Sequence, residues 1–261
     1  MEDEKWEAEH EQQLLAHRDE MVRRWEANDR RDRPVPTSNG PDDYGTERQR
    51  AKPAGPPMDE LPLTVEQWRA RDLPEPDFIC GKWLSTTSRV LMSAPTGLGK
   101  SNLVIAMGQH IAAGLPFLHW NAARPAKVLY IDGEMSRRLL RLRLIAEADR
   151  HGGDVSGFYA LSHEDAGFAP LNTKPGQAWV LALIERLGAD LVIFDNIMSL
   201  TQGDQTNELV WQQTMPLVLA LTARPVSQLW VHHTGHDETK GYGTKTREWS
   251  LDTVCHLEGP D

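Results

Sequence analysis

Arg89-Val90-Leu91-Met92-Ser93-Ala94-Pro95-Thr96-Gly97-Leu98-Gly99-Lys100-Ser101 is the stretch on which the reading of this chain turns. Arg89 to Ser93 reads as a strand. From Ser101 to Ala113 the spacing predicts a helix with Leu103, Ile105, Ala106 and Ile111 inward. A glycine-rich loop between a strand and a helix is the setting of a phosphate-binding loop. Gly97 and Gly99 let the backbone curl so that successive N–H groups face one point. The N-terminus of the following helix adds the positive end of its dipole there. Lys100 then supplies a point charge to the β- and γ-phosphates, and the Ser101 hydroxyl suits Mg²⁺. Pro95, Thr96, Gly97, Leu98, Gly99, Lys100, Ser101 and Asn102 form the candidate binding stretch. Ala94 stands where the general pattern has its first glycine. That position needs a tight turn rather than the closest approach to phosphate, so alanine is tolerable there.

Outward from this loop, short apolar runs alternate with amphipathic stretches. Strands are predicted at 126–131, 157–161, 190–194 and 228–231, and helices at 136–149, 175–187 and 207–222. In the 136–149 helix, Leu140, Leu144 and Ile145 are expected to pack, with Arg137, Arg138, Arg141 and Arg143 largely on other faces. The run Asp190-Leu191-Val192-Ile193-Phe194 is apolar throughout after its first residue, as in a strand covered on both faces of a parallel sheet. The expected fold is an α/β core with a mostly parallel sheet flanked by helices, from about residue 77 to 261.

The region before it differs. Residues 1–33 are dense in charge, with Leu15, Val22 and Trp25 spaced along one helix face; an exposed helix is expected, either docked on a partner or simply solvated. Residues 34–76 hold nine of the chain's 17 prolines and read as a linker. Within it, Thr64-Val65-Glu66-Gln67 resembles a capping box opening one short helix.

Composition narrows the possible functions. Across 261 residues, 28 Lys and Arg face 38 Asp and Glu, a formal charge of -10, which argues against a protein whose whole surface coats nucleic acid. Any such contact must come from a local loop. The sequence contains no apolar run long enough to span a membrane and no secretory signal at its acidic start. Cys80 and Cys255 stand far apart without a CxxC partner, which excludes a disulfide scaffold and suits a reducing cytoplasm.

Three further clusters carry chemistry. Leu191 to Phe194 ends in Asp195, placed either to hold Mg²⁺ or to cap the next turn. Asp132 and Glu134 follow the strand at 126–131, and either could orient the attacking water of a hydrolysis; Asp132 also suits a helix-capping role. His232-His233-Thr234-Gly235-His236-Asp237 follows the last predicted strand. Its histidines invite a zinc reading, but no acid or cysteine spacing completes a tetrahedral set. Strand alternation turns His233 toward the γ-phosphate and His232 away from it.

Taken in order, these blocks resemble the RecA/DnaB-like P-loop ATPases, and among them the RepA-like branch of AAA-type ATPases found on plasmids, phages and bacterial chromosomes. Ala94 to Ser101, Tyr130 to Ser136, Leu191 to Asp195, and His232 to Thr234 with Gly241 to Trp249 carry the resemblance, which covers about residues 76–258. It implies an enzyme that binds and hydrolyses ATP with Mg²⁺ held by Ser101 and Asp195. It further implies Lys100, Glu134, Asp195 and His233 as the catalytic set, with Glu134 as the base and His233 as the γ-phosphate sensor. It also implies self-association into a ring of the hexameric helicase type, acting in replication or mobile-element maintenance. The segment 235–246 then looks like a loop facing single-stranded DNA, with Lys240, Lys245 and Arg247 as phosphate contacts. Relatives continue past the equivalent of Leu257 through strands bearing a trans-acting arginine; here those C-terminal strands are expected to be missing, with Arg247 as a poor substitute. Two rivals stand beside this reading: a nucleotide-binding regulator or scaffold that does not unwind DNA, and a small-molecule kinase.

Overall fold

The computed structural model describes residues 62–165, 168–204, 207–234 and 246–259. The expected helix in residues 1–33 and most of the linker lie outside the described residues. The chain divides into two units, Met1–Ala70 and Arg71–Asp261. In the first, a short helix α1 (Val65–Arg69) opens with the expected capping box: the Thr64 hydroxyl accepts from the Gln67 N–H while the Gln67 side chain accepts from the Thr64 N–H.

The second unit begins with a small antiparallel pair, β1 (Phe78–Cys80) and β2 (Leu84–Ser85). There follow β3 (Arg89–Ala94), α2 (Lys100–Ala113), β4 (Val128–Asp132), α3 (Arg137–His151), β5 (Phe158–Ser162), α4 (Lys174–Leu187), β6 (Leu191–Asp195), α5 (Ile197–Leu200), α6 (Glu208–Ala223), β7 (Ser227–His233), α7 (Thr246–Trp249) and β8 (Thr253–His256). The six strands β3 to β8 form one sheet in the order β5-β4-β6-β7-β3-β8, every pair parallel. This six-stranded sheet flanked by helices matches the expected RecA-like α/β core.

Alternation along the strands builds two cores, one on each face. Val90 and Met92, Val128 and Tyr130, Leu191 and Ile193, and Leu229 and Val231 pack with α2 and with Leu140 of α3. Leu91, Leu129 and Ile131, Val192 and Phe194, and Trp230 pack on the opposite face with α4, α5 and α6. There Trp230, fully buried, stacks on Phe194 at 4.0 Å between ring centroids and meets Trp211 edge-on.

Three strands are absent from the sequence-based expectation: β1, β2 and β8. Each is short, and β8 alternates between half-buried and exposed positions at the sheet edge, so it shows no apolar run. Its approach is held instead by Asp252, which accepts from the Arg89 backbone N–H and its guanidinium. The packing expected of Ile145 is also corrected. Only Leu140 of α3 is buried, and Ile145 is exposed because this helix covers the sheet through a narrow stripe.

Gly176, in the first turn of α4, is required by a close approach. A Cβ there would lie 2.1 Å from the Pro170 carbonyl oxygen and 2.7 Å from that of Ala169. Alanine favours helix by about 1 kcal/mol, but this overlap is with backbone that cannot swing aside. Gly176→Ala is expected to destabilise the protein by roughly 1–3 kcal/mol in urea denaturation. A variant as stable as the parent contradicts the packing described.

Candidate nucleotide-binding site

The carboxyl ends of β4, β6, β7 and β3 lie side by side, and the polar residues that follow them gather at one edge of the sheet. The loop after β3 turns through Gly97 at φ +87° and Gly99 at φ +91°, a conformation that side-chain-bearing residues rarely adopt. A Cβ at either position would meet no atom within 4 Å, so the constraint is on the backbone and not on space. Gly99 leads directly into α2, whose first residue is Lys100.

Lys100 is 5% exposed, and its ammonium donates to the carbonyl oxygens of Ala94 and Pro95, each at 2.7 Å. Burial pushes its pKa down, while Asp195 and Glu134 push it back up. Asp195 ends β6, is almost fully buried, and takes a hydrogen bond of 2.7 Å from the Tyr130 hydroxyl and another from the Ser101 side chain. Burial raises the Asp195 carboxyl and these two hydrogen bonds pull it back. Ser101 and Asp195 are hard oxygen donors in contact with each other, a set that suits Mg²⁺.

Glu134 stands across the loop with its carboxylate half exposed. Its Oε1 accepts from Asn196 Nδ2 at 2.6 Å and lies 3.3 Å from His233 Nε2. His233 Nδ1 in turn lies 3.2 Å from the Thr96 hydroxyl on the phosphate loop. Thr96, Gly97, Gly99, Lys100, Ser101, Asn102, Glu134 and His233 line one pocket of about 390 Å³, together with Leu139 and Arg143 of α3. A larger cleft of about 720 Å³ adjoins it at Gly99, Asn102 and Arg143 and is walled mainly by apolar groups, among them Leu98, Leu103, Phe117 and Leu257. Pro95 enters the site through its backbone carbonyl, the partner of Lys100.

Asp132, the other candidate for activating water, is buried and does not line the pocket. Its Oδ2 accepts from the Met135 N–H at 2.8 Å and stabilises the turn that carries Glu134; the N-cap of α3 is Ser136. His232 points away from His233: it is 1% exposed and pairs through Nε2 with Arg247 Nη1 at 2.8 Å. That contact corrects the reading of Arg247. It is itself 1% exposed, its guanidinium lies against His232 and not at the surface, and burial lowers its pKa to about 10. Lys240, Lys245 and His236 lie outside the described residues.

Besides the pocket-lining Leu139 and Arg143 of α3, Asn196 and Tyr130 escaped the sequence reading. Asn196 immediately follows Asp195 and caps α5, a signal available in Asp-Asn at a strand end. Tyr130 reads only as an apolar strand residue, because its hydroxyl meets Asp195 only once β4 lies beside β6.

Burial, opposed mainly by the Met135 N–H, raises the Asp132 carboxyl from 3.8 to about 6. The folded protein thus holds this proton more tightly than the unfolded chain. Asp132 favours folding most fully below about pH 4, and this contribution is lost as pH rises through about 6. The stability of Asp132→Asn relative to the parent is therefore expected to improve between about pH 4.5 and 7.5 in urea denaturation. A difference that stays constant over this range contradicts the raised carboxyl.

This chain is similar to several known proteins. A family model described as AAA domain matches residues 55–239. The DNA repair protein RadA of Listeria monocytogenes is 25% identical over 207 residues, 78% of this chain, and the chain spans 40% of that relative's length. A KaiC-like protein from Pyrococcus horikoshii aligns over 67% of this chain and 74% of its own, at 13% identity and a TM-score of 0.45. With a matched region that takes in the phosphate loop, Glu134, Asp195 and His233, the chain belongs to the AAA domain family and has a RecA-like P-loop ATPase core.

Proposed function

We propose that this protein hydrolyses ATP, with Glu134 as the general base. The observation that carries the reading is the placement of Glu134 and Lys100 on one small pocket, lined besides by the phosphate loop and His233. An incoming triphosphate displaces the Ala94 and Pro95 carbonyls as the partner of the Lys100 ammonium, and the loop N–H groups accommodate its charge. Its base and ribose fit the adjoining apolar cleft beside Arg143. Ser101 and Asp195 would hold Mg²⁺, which would neutralise part of the triphosphate charge. Glu134 takes the proton of the attacking water on its carboxylate as the new bond to phosphorus forms, and Lys100 stabilises the charge on the departing diphosphate. His233 reads the γ-phosphate from the end of β7.

The wider role we assign is a DNA-linked, ring-forming ATPase of the RepA-like kind. Its support is the resemblance of the four sequence blocks and the naming of one relative as a DNA repair protein. The burial of Arg247 favours a second reading, a nucleotide-controlled regulator or scaffold that moves along no DNA.

Lys100→Ala is expected to abolish turnover, and Glu134→Gln to lower it by about 10²-fold or more with ATP binding retained. Steady-state phosphate release checks both. Normal hydrolysis by Lys100→Ala contradicts the assignment, and a mild loss in Glu134→Gln contradicts the base. Stimulation of the parent's rate by single-stranded DNA supports the motor; indifference supports the regulator.

A further inference from the structure

Four side chains from four adjacent strand ends form one hydrogen-bonded row. Glu134 follows β4, Asn196 follows β6, His233 ends β7 and Thr96 follows β3, the same order in which the strands lie in the sheet. Asn196 is the centre of the row. Its Nδ2 is 2.6 Å from Glu134 Oε1 and 2.9 Å from His233 Nε2.

The orientation of the Asn196 amide follows from its other end. Oδ1 faces the backbone N–H of Met198 at 3.0 Å, that of Ser199 at 3.3 Å and the Ser199 hydroxyl at 3.1 Å. Backbone N–H groups only donate, so the atom facing them is the amide oxygen. The NH₂ group then faces Glu134 and His233 with one hydrogen for each. A ring nitrogen that accepts a hydrogen bond carries no proton. In this arrangement Nε2 of His233 is bare and Nδ1 carries a proton, which it donates to the Thr96 hydroxyl. A proton on Nε2 would gain Glu134 at 3.3 Å but would oppose the Asn196 N–H at 2.9 Å, and the shorter contact decides.

We propose that Asn196 is a positioning residue that fixes His233 as the Nδ1–H tautomer and anchors the Glu134 carboxylate. The inference rests on the reading of this site as an ATP-hydrolysing one and adds what selects its polarity. In this tautomer His233 turns a donor toward the phosphate loop. The Thr96 oxygen accepts that hydrogen bond, which leaves its own hydrogen to donate. Thr96 then holds a hydrogen for a γ-phosphate, which can only accept, and the His233 Nδ1–H supports the Thr96 oxygen from behind. The other tautomer would turn a lone pair toward the same anion. Asn196 thus couples the orientation of the base to the group that meets the γ-phosphate, through one amide with no spare hydrogen.

Two variants keep a capping oxygen for α5 and remove the amide N–H groups, Asn196→Asp at the cost of a negative charge beside Glu134. Asn196→Asp keeps its shape and its accepting oxygen but replaces the two donors by an acceptor. Asn196→Ser keeps a capping oxygen and loses both amide N–H donors, with one hydroxyl hydrogen on a shorter side chain in their place. The measurements are ¹⁵N NMR of the His233 ring, assigned with His233→Gln, together with steady-state turnover and ADP affinity. The parent is expected to show a protonated Nδ1 and a bare Nε2 at neutral pH. Asn196→Asp is expected to place a proton on Nε2, whether or not Nδ1 keeps its own. Both variants are expected to lose about tenfold or more in kcat, with ADP affinity changed by less than about threefold. A parent ring protonated at Nε2 or at both nitrogens overturns the proposal, as does an unchanged tautomer in Asn196→Asp or kcat within about twofold of the parent in Asn196→Ser. The tautomer is read without turnover, so a protein that hydrolyses no ATP overturns the activity while the ring measurement still decides the role of Asn196.

Discussion

A lysine ammonium withdrawn from water must find its hydrogen-bond partners inside the protein, and an unpaired one costs several kcal/mol. Lys100 meets this need by reaching back over its own loop to two backbone carbonyls, with the Asp195 and Glu134 charges nearby. That arrangement depends on the positive φ of Gly97 and Gly99, which curl the loop, and on the start of α2 at Lys100 itself. It also accounts for the loop's readiness for an anion. The carbonyls are neutral partners, and a triphosphate oxygen is a charged one that forms a stronger bond with the same ammonium.

The sheet order converts this local feature into a site. Because β7 lies between β3 and β6, the phosphate loop and Asp195 are one strand apart, and His233 fills the gap between them. Because β4 lies on the far side of β6, the Tyr130 hydroxyl reaches Asp195 and the Glu134 turn reaches Asn196. The Gly133 N–H donates to the Asp195 carbonyl at 2.7 Å and ties the two strand ends together. A different strand order would keep every local motif and scatter the groups.

Much of this was legible in the sequence because the elements that matter are strongly patterned. Fully buried parallel strands read as unbroken apolar runs, and a glycine-rich loop that ends in Lys-Ser between strand and helix is a specific mark of phosphate binding. Of the residues singled out at those strand ends, Glu134 and His233 line the pocket, whereas Asp132 and His232 are buried away from it. What could not be read depends on contacts distant in sequence. Tyr130 looks like any strand aromatic until β6 is beside it. Arg247, in a stretch with glycine and lysine, reads as a surface cation, and only the buried His232 opposite it shows otherwise. The edge strand β8 is half exposed and held by the Arg89–Asp252 pair, so hydrophobic periodicity never marks it.

Everything in the site follows from an anion-accepting loop that buries Lys100 beside a carboxylate pair. Isothermal titration calorimetry of the folded protein with Mg-ATP tests this most directly. Saturable association with one nucleotide per chain is the expected result, weakened strongly when magnesium is chelated. Absence of any heat of association from a well-folded sample, across temperatures that exclude a zero-enthalpy crossing, contradicts the account.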